Sequence, residues 1–86
     1  MTYSDVHNQI QRIINRKMKV RHKESSYTAN FSDDFKMAEW EVTLLMNLVE
    51  DQFNIRLETG TERNLFSMNQ LVALVYKESQ KAFSHN

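Results

Sequence analysis

An all-α fold is what this sequence predicts, and three observations carry the prediction. The 86 residues include no proline and a single glycine, which leaves little material for tight hairpins. Apolar residues recur at steps of three and four in three separate stretches. Between those stretches the chain is polar, as connections between helices are. A chain of this length holds one modest core, so residues 1–86 are expected to form a single domain, ordered over about 4–79 with a frayed tail over 80–86.

The first stretch carries Tyr3, Val6, Ile10, Ile13, Ile14 and Met18 on one face, which predicts a helix over about Ser4 to Met18 started by Ser4 and Asp5. Arg12, Arg16 and Lys17 occupy its polar side, where cations suit the negative end of a helix. From Lys19 to Asn30 the periodicity dissolves into a long loop, with Val20, Tyr27 and Phe31 available to pin it to the core.

Ser32, Asp33 and Asp34 supply capping oxygens ahead of an apolar run from Phe35 to Phe53, which predicts the second helix. Arg56 to Asn64 holds Gly60 and reads as a connection with room for a short helical turn. Ser67 caps a last helix whose Met68, Leu71, Val72 and Val75 face inward and which ends near Ser79.

At 100° per residue, Val42, Leu45, Met46, Val49 and Phe53 form the core stripe of the second helix. Met37, Trp40, Leu44 and Leu48 fall on nearly the opposite side, with Glu41 beside them. That second apolar stripe is covered either by the long loop or the short connection, or by another protein. The presence of Trp and Met favours a protein interface or self-association.

Phe31 to Phe35 is similar to the Phe-x-x-Asp-Leu stretch of acyl carrier proteins, with Asp34 at the acidic position and Phe35 where leucine is usual. Glu50-Asp51-Gln52-Phe53 resembles the family's Glu-Glu-x-Phe helix ending, and Ile55 and Leu57 resemble the hydrophobic exit after it. Leu65, Met68, Leu71, Val72 and Val75 sit where the family's last helix packs, so the resemblance runs from about Val6 to Tyr76. It implies a four-helix bundle, with three main helices, a short one, and a long loop between helices one and two.

In the same register the family's Asp-Ser-Leu triplet falls on Ala38-Glu39-Trp40, which puts Glu39 in the place of the serine that receives the phosphopantetheine arm. Arm transfer needs a hydroxyl that attacks phosphorus, whereas a carboxylate repels the donor's phosphates. No phosphopantetheine is therefore expected. The implied role is a binding protein that is not an enzyme, working through protein contacts in a fatty-acid, polyketide or related pathway. Partner-binding residues are expected at Met37, Trp40, Glu41, Leu44 and Leu48. Two alternatives stay open: a true carrier with unconventional attachment or non-covalent acyl carriage, and a regulatory module contacting nucleic acid.

Arg12, Arg16, Lys17, Lys19, Arg21 and Lys23 form a local basic cluster suited to an acidic partner such as a synthase component or another carrier. Eleven basic residues balance eleven acidic ones, so nucleic acid is a weaker fit. Without cysteine there is no thiol catalysis, thiolate zinc site or disulfide. His7, His22 and His85 are scattered, and the carboxylates Asp33, Asp34, Glu39 and Glu41 suit a helix start better than a metal site. No catalytic triad or phosphate-binding glycine loop can be assembled. With no signal-like start and no apolar run of membrane-spanning length, a soluble cytoplasmic protein is expected.

Overall fold

A computed structural model describes residues 2–18, 30–57 and 67–84. Three helices lie among them: α1 (Tyr3–Lys17), α2 (Glu39–Phe53) and α3 (Met68–Ser84). The expected long loop falls mainly on 19–29 and the short fourth helix on 58–64, both outside the described residues.

Helix α1 begins one residue earlier than its apolar spacing suggests, because Thr2 rather than Ser4 caps it. The Asp5 N–H donates to Thr2 Oγ1 at 3.1 Å, and the Thr2 N–H donates to Asp5 Oδ2 at 2.9 Å. This reciprocal pair satisfies two donors that a helix start leaves open. Val6, Ile10, Ile13 and Ile14 are then buried, and Arg16 and Lys17 lie in the last turn as the helix dipole favours.

The segment from Asn30 to Ala38 departs from expectation. It is a turn followed by extended backbone, and α2 starts at Glu39 rather than Phe35. Asn30 Oδ1 accepts from the N–H groups of Ser32 and Asp33 at 2.9 and 3.0 Å. Asp34 Oδ2 accepts from the Asn30 N–H at 2.6 Å. These side chains therefore close a local turn instead of capping a helix, a competition typical of Asn and Asp. Lys36 has φ 57°, a left-handed conformation that cannot propagate a right-handed helix. The Met37 N–H returns to the Phe31 carbonyl at 2.9 Å, and Phe31, Phe35 and Met37 are all buried.

Ala38 has no side-chain acceptor to cap α2, so the cap comes from the other direction. Glu41 Oε1 accepts from the Ala38 N–H at 2.9 Å. The helix ends at Asn54, whose φ of 55° is the left-handed stop that asparagine tolerates. The Ile55 N–H then returns to the Glu50 carbonyl at 3.1 Å, and Glu50 Oε2 accepts from the Leu57 N–H at 2.8 Å. This leads Ile55 and Leu57 back against the core.

Ser67 and Gln70 repeat the reciprocal cap at the head of α3: the Ser67 N–H donates to Gln70 Oε1, and the Gln70 N–H to Ser67 Oγ. Met68, Leu71, Val72 and Val75 are buried as expected. The helix runs on to Ser84 rather than ending near Ser79, so most of the tail expected to fray is helical. Ser79 is itself buried, and Lys81 pairs with Glu78 at 3.3 Å one turn on. Burial of Ser79 gives this turn a contact that its polar composition does not advertise.

Helix α1 packs on both α3 and α2, with the Tyr3 and Tyr76 rings 5.3 Å apart. One apolar core joins α1, the Asn30–Ala38 turn, α2 and α3. An isolated antiparallel bridge between Asn30 and Ser67 ties the turn to the start of α3.

Two tests follow from this geometry. Lys36→Gly removes the cost of a left-handed non-glycine residue and should raise stability by about 0.5–1 kcal/mol in denaturant unfolding, after allowing for the entropy glycine loses. A destabilised variant would mean the left-handed turn is absent. Asp5 is held below its ordinary pKa of 3.8, first by the Thr2 backbone N–H and then by the Thr2 hydroxyl. Its contribution to stability is therefore complete above that value and fades as pH falls through the lower folded one. Asp5→Asn should flatten the acid limb of a stability profile below about pH 4.

Candidate functional site

The candidate site is the head of α2 and the outer strip that runs from it. Glu39 is the first residue of the helix, exposed to solvent, at the end where the helix dipole favours negative charge. Its carbonyl accepts from the Thr43 hydroxyl at 3.3 Å. Trp40 follows and is 67% exposed, a large value for so apolar a side chain. Leu44 is 39% exposed, and Leu48 is half-buried with one side against the core.

Trp40, Leu44, Leu48 and Gln52 are successive i+4 positions and therefore form one ridge on the helix surface. Exposure falls along this ridge from Trp40 to Leu48, as the row spirals toward α1. Gln52, which the apolar pattern passes over, continues the row and donates from Nε2 to Gln9 Oε1 on α1 at 3.4 Å. A side-chain amide gives no periodicity signal, so this junction was not visible in the sequence.

Met37 does not belong to the strip. It lies before the helix in extended backbone and is only 6% exposed, so helical spacing assigned it to the wrong side. Glu41 is half-buried and its carboxylate is held by the Ala38 N–H, which gives it a capping task. The exposed strip thus reduces to Glu39, Trp40, Leu44 and the outer edge of Leu48.

Arg12, Arg16 and Lys17 are exposed on the last turns of α1. Together with Gln9, Ile13 and Gln52 they line a shallow groove of about 280 Å³. Ile13 is buried and supplies an apolar floor, while the three cations supply the rim. Lys19, Arg21 and Lys23 of the expected cluster lie outside the described residues.

No group of three or more potential metal ligands occurs among the described residues, and no described helix is long and apolar enough to cross a membrane. Ser32 lies in the turn before α2 and Ser67 in the cap of α3. Neither hydroxyl stands at the head of α2, where Glu39 offers a carboxylate.

No protein-family model and no curated protein matches this sequence. A solved structure does match in shape: the crystal structure of an acyl carrier protein from Thermotoga maritima, with a TM-score of 0.86 over 93% of each chain. The two sequences are 18% identical, so the likeness is one of fold. The chain has the all-helical fold of an acyl carrier protein.

Adjacent leucines check the orientation of α2. Leu45 is fully buried and Leu44 is not. Leu45→Ala should cost about 2–5 kcal/mol in denaturant unfolding, and Leu44→Ala no more than about 1 kcal/mol. Equal losses would contradict the assignment of core and surface.

Proposed function

We propose that this protein is a carrier-like binding module that bears no phosphopantetheine arm and acts through protein contacts. The observation that carries the proposal is Glu39, an exposed carboxylate on the first residue of α2. By resemblance this is the position where carriers present the serine that is modified. A carboxylate there gives the transferase no hydroxyl to phosphorylate, and its charge opposes the approach of a phosphate-rich donor.

Contact surfaces are what remain to such a protein. Trp40 and Leu44 expose apolar area next to a formal charge, a combination suited to the centre and rim of an interface. On this reading the protein is not an enzyme, holds no cofactor, and works in the cytoplasm beside fatty-acid, polyketide or related synthesis. Its partner is a synthase component, another carrier, or a second copy.

Intact-mass spectrometry after incubation with a phosphopantetheinyl transferase and coenzyme A tests the proposal. A functional acyl carrier protein serves as the positive control. The mass of this protein should stay unchanged while the control gains one arm. A gain of one arm here would make the protein a true carrier with an unconventional attachment site.

A further inference from the structure

The described surface holds two features of opposite character. One is the head of α2, where an exposed carboxylate at Glu39 precedes an exposed indole at Trp40. The other is the groove on α1, with Ile13 as its floor and Arg12, Arg16 and Lys17 around it. Arg12, Arg16 and Lys17 form no ion pair with another described residue. At 67% exposure, Trp40 is not seated in the groove of its own molecule.

The ridge Trp40–Leu44–Leu48–Gln52 connects the two, since Gln52 is both its last member and part of the groove wall. We infer that the groove receives the α2 head of a second copy of this chain, in a two-fold symmetric dimer built on antiparallel α2 ridges. Two-fold symmetry pairs Leu44 of each copy with Leu48 of the other, and the same register brings each Trp40 to the other copy's Gln52. The indole then lies over Ile13 between guanidinium groups, a favourable setting for stacking and cation–π contact. Glu39 meets Arg12, Arg16 and Lys17, which outnumber Asp51, the acidic residue beside Gln52.

The balanced net charge supports a self-complementary surface of this kind, because a chain with no overall charge lacks the repulsion that keeps like molecules apart. Charged groups take part in the contact, so the dimer is concentration-dependent and weakened by salt. The inference rests on the surface named in the proposed function and adds the identity of its occupant.

Light scattering coupled to size exclusion, over a wide range of loading concentration, tests it. The wild-type mass should rise from the 10.3 kDa of one chain toward about twice that value. Arg16→Glu and Glu39→Arg should each hold the protein at the one-chain mass, with unchanged helical circular dichroism. Trp40→Ala should do so without any change of charge. A wild type that stays at one chain, or single variants that still pair, would each overturn the inference. None of these outcomes bears on the arm, which intact mass decides separately.

Discussion

The turn from Asn30 to Ala38 decides where α2 begins, and the character of the site depends on that point. Asn30 and Asp34 spend their side chains on backbone N–H groups within the turn. Lys36 takes the left-handed conformation that closes it. In consequence Phe31, Phe35 and Met37 turn into the core, and the helix opens on Glu39. Had the helix begun at Phe35, Glu39 would lie one turn inside it, and no residue of the Ala38–Trp40 triplet would stand at a helix end.

A second constraint comes from size. Among the described residues the core covers one side of α2 but not both. Val42, Leu45, Met46 and Val49 take the covered side. Trp40 and Leu44 are left outside, next to a charged residue at one end and, through Leu48 and Gln52, to a cationic groove at the other. Capping reinforces this division, because Glu41 is drawn to the Ala38 N–H and leaves Glu39 as the carboxylate that faces outward.

Elements with one clear periodicity were legible in the sequence. The burial of Val6, Ile10, Ile13 and Ile14 follows from steps of three and four, and Ser67, a hydroxyl residue just ahead of an apolar run, caps α3 as expected, with Gln70 as the partner the structure adds. The start of α2 was misread for a physical reason. Ser, Asp and Asn before an apolar run announce either a helix cap or a closed turn, and the two share the same chemistry. A lysine with positive φ gives no warning of itself, so Met37 was placed on a helix it does not belong to. The strip beyond Leu48 was invisible because its continuation is a glutamine bonded to another glutamine.

Residue-by-residue backbone NMR shifts from Asn30 to Thr43 test the central claim most directly, since they report conformation at each position in solution. Extended values at Met37 and Ala38, with helical values beginning at Glu39, are what this account requires. Unbroken helical values from Phe35 onward would place Glu39 inside the helix and contradict it.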